Sequence, residues 1–225
     1  MSFRLNSGLS KFSGESAQSS TFMFYNIVQE DGHINSPYGN QFGILYGASI
    51  TGARITESQF KYGAELGYEM LSSKAEIESV YVHGTSQNAN IDAEGGVFLN
   101  SNFITLFPHA GYRFLFPHGH WDIDAGLEVG YCLDITEEGT AITELREFET
   151  SLARKTIDWD LRPRIQASIT YQNFGTYAGF SKGLVNYQSA VGGNANSAYS
   201  NIIRFGLLYE WRLKGEDYLK FRYRR

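Results

Sequence analysis

Residues 121–135 read Trp-Asp-Ile-Asp-Ala-Gly-Leu-Glu-Val-Gly-Tyr-Cys-Leu-Asp-Ile. One parity is Trp121, Ile123, Ala125, Leu127, Val129, Tyr131, Leu133, Ile135, and the other is Asp122, Asp124, Gly126, Glu128, Gly130, Cys132, Asp134. Every position sorts into an apolar face or a face of acids, glycines and one thiol, the period of a strand whose two sides meet different surroundings. The same division recurs over 157–171, where Ile157, Trp159, Leu161, Pro163 and Ile165 oppose Asp158, Asp160, Arg162 and Arg164. It recurs in Phe60, Tyr62, Ala64, Leu66, Tyr68 and Met70 against Lys61, Glu65 and Glu69, and again over 202–213. Weaker alternation covers 2–12, 42–54, 102–116 and 176–187, which makes eight predicted strands.

Composition agrees with an all-β chain. Among 225 residues there are 24 glycines, 15 tyrosines and 16 phenylalanines but only 4 prolines, a glycine-punctuated, aromatic-rich balance that suits strands. The net charge of −5 gives no basic footprint for nucleic acid. A single cysteine, Cys132, excludes an internal disulfide framework. Mean hydropathy is −0.30, and no run approaches the ~20 apolar residues of a membrane helix. No signal peptide precedes Phe3, so an exported chain is expected to have lost its signal.

The links between strands alternate in length. Residues 56–59, 117–120 and 172–175 are short, the last carrying Asn173 and Gly175 as turn formers, whereas 13–41, roughly 84–94, 137–153 and 188–199 are long and polar. Short turns at one end and long loops at the other describe an up-and-down transmembrane barrel, with the turns periplasmic and the loops extracellular.

A soluble lipocalin-like barrel alternates too, and volume separates the two readings. Eight strands leave an interior only just filled by side chains, and three tryptophans with the accompanying Tyr, Phe, Leu and Ile would overfill it. The expectation is therefore an eight-stranded antiparallel barrel over residues 1–213 with its apolar face in outer-membrane lipid, plus a periplasmic extension or short extra strand over 214–225. Its lumen is expected to carry Arg4, Lys61, Glu65, Glu69, Arg113, Asp122, Asp124, Glu128, Asp158, Asp160, Arg162, Arg164, Arg204, Glu210 and Arg212, where opposite signs neutralise one another. Aromatics fall where interfacial girdles belong: Phe60, Phe114, Trp121, Tyr171, Tyr209 and Trp211 near the short turns, Tyr131 and Trp159 near the long loops. Pro108 and Pro163 in mid-strand suggest bulges, and Lys182 on an apolar parity must reach the outer headgroups.

Several of these segments resemble the small outer-membrane β-barrel proteins of Bacteroidota, the porin-family or PorT-like group with an OmpA-like architecture. Glu65-Leu66-Gly67-Tyr68 is similar to that family's Glu-Leu-x-Tyr strand, and Ile104, Pro108, Tyr112, Arg113 and Phe114 to its proline-containing fourth strand. Gly126 to Tyr131 and Gly183-Leu184-Val185-Asn186 are similar to later strands. The resemblance implies a single envelope barrel and makes Pro108 a family feature. The long first loop and the residues beyond Lys214 depart from the pattern.

The polar residues suggest no enzyme. None of His33, His83, His109, His118 and His120 has a serine partner placed for nucleophilic catalysis, and His118-x-His120 with Asp122 nearby reads as a polar turn before it reads as a metal site. No catalytic residue, metal or cofactor is expected. In the first loop, Phe22, Met23, Phe24, Tyr25 and Ile27 form an apolar run that is expected to cap the mouth, with an extra hairpin or contact with a partner as the alternatives. In the third loop, Ile142, Leu145, Phe148 and Leu152 have near-helical spacing and predict a short amphipathic helix. The expected function is a structural or interaction role for a monomeric barrel of a Gram-negative outer membrane, with an occluded lumen and with extracellular loops that engage an envelope partner. A narrow pore, then a lipid-modifying enzyme, are the alternatives.

Overall fold

The computed structural model describes residues 1–84, 88–188 and 196–211. The elements among them are strands: β1 (Ser2–Ser13), β2 (Ser20–Asn26), β3 (Asp31–Ile34), β4 (Gln41–Ile55), β5 (Phe60–His83), β6 (Ala89–Phe116), β7 (Gly119–Ile142), β8 (Glu147–Ala153), β9 (Trp159–Tyr171), β10 (Phe174–Lys182) and β11 (Tyr199–Glu210). Eight of them pair antiparallel in a closed ring, β1–β4–β5–β6–β7–β9–β10–β11 and back to β1. Closure brings Ser2 opposite both Glu210 and Thr51. Next to this pairing, the Trp211 amide donates to the Met1 carbonyl at 2.9 Å.

The three short turns cluster with these termini. Each holds one residue in the left-handed region, Gln59 (φ 67°), His118 (φ 66°) and Gln172 (φ 56°). Asn173 takes its place in the last turn as expected, but Gly175 lies inside β10.

At the other end three strands outrun the ring. β5, β6 and β7 have 24, 28 and 24 residues, against 12 in β1 and 9 in β10. The pairing of β4 with β5 stops at Gln41↔Lys74, and beyond it β2 takes over, parallel, from Ser20↔Glu76 to Asn26↔His83. The pairing of β9 with β7 stops at Tyr131↔Trp159, and β8 takes over from Thr136↔Ala153 to Ile142↔Glu147. The result is a protruding sheet in the order β3-β2-β5-β6-β7-β8. Its outer members, β3 and β8, are tied by side chains. Thr150 Oγ donates to the Gly32 carbonyl, and Glu137 accepts from the Ile34 amide at 2.7 Å. Arg154 bonds both Glu137, at 2.7 Å, and the Ile34 carbonyl, at 2.6 Å.

The two faces of the long strands exchange polarity where they leave the ring. On β5 the outward set Phe60, Tyr62, Leu66 and Tyr68 is apolar while Lys61, Glu65 and Glu69 are buried. Past Met70 the buried set becomes Leu71, Ala75 and Ile77 and the outward set becomes Glu76 and Glu78. On β7 the outward apolar residues end at Leu133, and Asp134 and Glu138 follow outside with Ile135 and Ala141 inside. Inside the protrusion Met23, Ile34, Ile77, Val80, Val97 and Phe148 form a dry core, as water on the outer face requires.

Several expectations need correction. The third loop has no helix: residues 147–153 are strand, with Phe148 and Thr150 inward and Glu147 and Glu149 outward. Of the four residues at helical spacing only Phe148 is buried, so that spacing marked no common face. The link at 84–94 shrinks because β5 runs to His83 and β6 begins at Ala89. The sixth ring strand begins at Trp159 and not at Ile157, and the seventh ends at Lys182 and not at Tyr187. Neither proline causes a shift: Leu106↔Val129 and His109↔Gly126 keep one register around Pro108, Leu127↔Pro163 lies in an unbroken β7–β9 register, and the β6–β7 irregularity lies between Asn102 and Phe103. The segments 212–213 and 214–225 lie outside the described residues.

All three tryptophans, Trp121, Trp159 and Trp211, belong to the ring or its edge, so their fluorescence reports the ring separately from the protrusion. Ile34→Ala removes a fully buried side chain of the outer core and should weaken that core by about 2–5 kcal/mol. The expected result is faster protease cleavage within 27–36 with the urea midpoint of tryptophan fluorescence unchanged.

Candidate functional site

The ring encloses a ladder of charges, built from the inward parity of each strand. Nearest the short turns, Asp122 on β7 accepts from Arg113 on β6 through two bonds of 2.8 Å and from Lys61 on β5 at 2.8 Å. Lys61 also donates to Asp124 at 2.8 Å. Glu210 on β11 lies 3.4 Å from Arg113 and 3.2 Å from His120. A cavity of about 880 Å³ opens here toward the turns, with Arg54 and Trp211 at its lip and Arg4, Lys61, Arg113 and Asp122 at its floor.

Above that floor the interior is filled. Glu128 accepts from three arginines, Arg162 at 3.1 Å, Arg164 at 2.8 Å and Arg204 at 2.7 Å. Arg204 spans the interior to chelate Glu69 at 2.5 and 2.7 Å. Glu65 joins Arg4 at 2.7 Å and Arg164 at 3.1 Å. Arg162 also donates to Asp160 at 2.7 Å. The guanidinium planes of Arg162 and Arg164 lie over Phe103 and Phe107, 4.5 and 4.4 Å from the ring centres. Arginine suits this position because its flat fork can bind two carboxylates and stack on an aromatic at once.

A layer of apolar residues closes the loop side, with Phe12, Leu45, Leu71, Phe103, Ile135 and Ile202 packed together with Tyr38 and Tyr187. Tyr187 donates to Asp160 at 2.8 Å and links this layer to the charges below. Burial pushes the phenols of Tyr38 and Tyr187 above their ordinary value, and for Tyr187 the neighbouring Asp160 charge acts in the same sense.

Of the expected lumen residues, Arg4, Lys61, Glu65, Glu69, Arg113, Asp122, Asp124, Glu128, Asp160, Arg162, Arg164 and Arg204 are buried inside the ring, and Glu210 is partly buried at its turn-side rim. Asp158 is not among them. It precedes β9, lies exposed, and pairs with Lys155 at 3.0 Å, because the alternation starts only at Trp159. Arg212 lies outside the described residues. His118 and His120 do not converge: His118 occupies the turn beside Tyr171, while His120 points inward to Glu210. The first-loop run divides by parity. Met23 and Tyr25 are buried in the protruding core, Phe22 and Phe24 are half-buried on its outer face, and Ile27 is exposed in the following turn. The segment forms the extra hairpin, β2 with β3, in place of the cap expected first. The Glu137–Arg154 clamp was not anticipated, because both residues lie in what reads as a polar loop.

No family model matches the chain, and no curated protein matches it. Among solved structures, two of Ail, the attachment invasion locus protein of Yersinia pestis, are similar to this chain. Each covers 92% of this chain and 98% of its own at 8% identity, with a TM-score of 0.37 for the complex with the heparin analogue sucrose octasulfate and 0.31 for the other. A likeness this remote says nothing of ligand or activity.

Removing one partner from a buried ion cluster strands the others. Glu128→Gln keeps the shape and deprives three arginines of their shared charge, which should cost about 3–5 kcal/mol. Urea titration followed by tryptophan fluorescence is expected to show the midpoint falling accordingly.

Proposed function

We infer that the chain is a non-enzymatic outer-membrane β-barrel that spans the bilayer with its ring, seals its own interior and presents the protruding sheet outside the cell. The observation that carries this reading is the exchange of polarity along β5 and β7. A closed sheet in water has no reason to expose Leu66, Ile123, Leu127, Ile165 and Phe205 together while burying paired charges. A sheet that passes from lipid into water has that reason.

The dimensions support the same reading. On β7 the outward apolar residues run from Trp121 to Leu133, about 40 Å of strand, and a tilt near 45° brings that to a band of about 28 Å. Aromatic rings pair along the turn-side edge, Phe114 on Trp121 at 4.1 Å, Tyr112 on Phe114 at 4.9 Å and Phe174 on Tyr209 at 5.0 Å. Along the loop-side edge Tyr68 donates to Asn102 at 2.7 Å, Asn102 donates to Asp134 at 2.8 Å, and Tyr131 packs on Trp159 at 4.8 Å. Two girdles of this kind bound the hydrocarbon region of membrane barrels. Lys182 faces outward at the loop-side end of β10, within reach of headgroups. The Bacteroidota assignment rests on the sequence resemblance.

The sealed interior favours an interaction role over conduction. The turn-side cavity is the one feature that favours a narrow pore, and the Glu128 layer and the apolar layer stand between it and the loop side. For the enzyme alternative, the histidines face Asp124, Glu210, Asn88, Phe24 and Tyr171.

Four measurements test this reading. Leu127 lies midway along the outward apolar stretch, so Leu127→Arg should destabilise the protein in lipid vesicles by about 2–4 kcal/mol; a water-exposed site would change by less than about 0.5 kcal/mol. In planar bilayers the protein should give no steady current, and it should migrate differently on a gel before and after heating. A steady current would favour the pore, and a monodisperse protein without detergent would overturn the membrane reading.

A further inference from the structure

The outer face of the protrusion carries an aromatic stripe that neither the ring nor the inner core uses. Phe24 on β2 stands opposite His33 on β3 and Tyr81 on β5, and Tyr81 stands opposite Asn90 on β6. The rings touch: Phe24 lies 5.0 Å from His33, 5.6 Å from Tyr81 and 4.9 Å from Phe22, all centre to centre. Phe22, Phe24 and Tyr81 are half-buried and His33 is exposed. One continuous patch therefore crosses three strands on the side facing away from Met23, Val80 and Val82.

Lipid does not account for it. The outward apolar residues of β5 end at Met70, and Tyr81 follows about 35 Å further along the strand. The outward carboxylates Glu76 and Glu78 lie between the two. A girdle residue sits at the edge of the apolar band, and this patch does not.

Its charge surroundings are predominantly negative, with Lys74, next to Glu76 on the outward parity of β5 and toward the ring, as the nearest cation on that strand. Around the stripe stand Asp31, Glu76, Glu78, Asp92 and Glu94, all exposed. Strands β2 and β3, residues 76–83 of β5 and residues 89–94 of β6 contain no lysine or arginine. Glu78 is thrust out by the irregularity between Ile77 and Ser79, which interrupts the pairing of β5 with both neighbours. Aromatic faces attract cations through their quadrupole, and carboxylates at the rim add direct pairing and steer a positive partner to the patch. A polyanion would meet five negative charges here.

Resting on the reading of the loop end as the outer side of the membrane, we propose that this face of β3-β2-β5-β6 is a docking surface for an arginine- or lysine-rich protein segment. Its basic side chains lie over Phe24 and Tyr81 and pair with the surrounding carboxylates.

The test uses the full chain in detergent micelles and a fluorescent deca-arginine peptide, with deca-glutamate and uncharged maltohexaose as comparison ligands. The expected result is saturable binding of deca-arginine alone, weakened by salt. Phe24→Leu with Tyr81→Leu keeps apolar side chains and the net charge but removes two π faces, and should weaken binding about ten-fold. Tyr81→Phe retains the face and should bind as the wild type does. Protease cleavage within 27–36 at the wild-type rate verifies that each variant keeps the protrusion folded, and tryptophan fluorescence in urea verifies the ring. If the double leucine variant binds undiminished, attraction is charge alone and the proposal fails. It also fails if maltohexaose binds as tightly as the peptide, since the surface is then a glycan platform. Loss of the heat-dependent gel shift with peptide binding retained overturns the membrane reading. A retained shift with no peptide binding overturns the docking surface alone.

Discussion

Glu128 with its three arginines is the contact on which the ring depends. A closed eight-stranded sheet has an interior narrow enough for side chains to fill, and what fills it must be satisfied there because little water reaches it. An apolar filling is one solution. This chain uses the other, in which Arg162, Arg164 and Arg204 converge from β9 and β11 on one carboxylate of β7 and are held in turn by Asp160, Glu65 and Glu69. Each cation touches more than one acid, so moving any one disturbs several, and the strands are held by their interiors as well as by their ladders. Charges so deeply buried are tolerable only as a set.

The same three long strands then build a second body with the opposite logic. Beyond the level of Met70 and Leu133 the inward face turns apolar and the outward face polar, and the partners change with it, β2 in place of β4 and β8 in place of β9. The change of partner is necessary because the ring's neighbours stop there. Without β2 and β8 the extended β5, β6 and β7 would have an uncovered apolar face and two raw edges. The Glu137–Arg154 pair, bonded to both backbone groups of Ile34, fastens the seam between the outer members. The apolar layer around Phe12, Leu71 and Phe103 lies between the two bodies and belongs to both.

The alternation, clearest at 121–135 and repeated in the other segments, was enough to read an all-β chain and to place on one parity the charged residues that are buried in the ring. Parity is a local property, and a strand with different surroundings on its two faces displays it openly. Where the surroundings change along a strand the sequence is harder to read. Residues 71–83 look like a strand losing its pattern, because Leu71, Ala75 and Ile77 continue the inward parity with apolar in place of charged side chains. The irregularity at Glu78 then shifts the phase, so that Val80 and Val82 follow on the other parity. Asp158 was misplaced for a related reason, since alternation carried past the true start of β9 predicts a facing that no sheet enforces. The third loop imitated a helix because Ile142, Leu145, Phe148 and Leu152 come from a strand end, a turn and a strand that share no face.

The meeting of β1 with β11 has a kinetic meaning as well as an architectural one. Ser2 finds its partner Glu210 only after nearly all the described chain has been laid down, so the sheet remains an open ribbon with two unpaired margins until its last strand arrives. Contacts so distant in sequence are slow to form, and an open ribbon is the form most exposed to pairing with the wrong neighbour. The centre of the protrusion lacks this difficulty, because β5, β6 and β7 are consecutive hairpins, whereas β2 and β3 join it through contacts distant in sequence. The chain thus combines a portion that can zip up locally with one that must wait for β11.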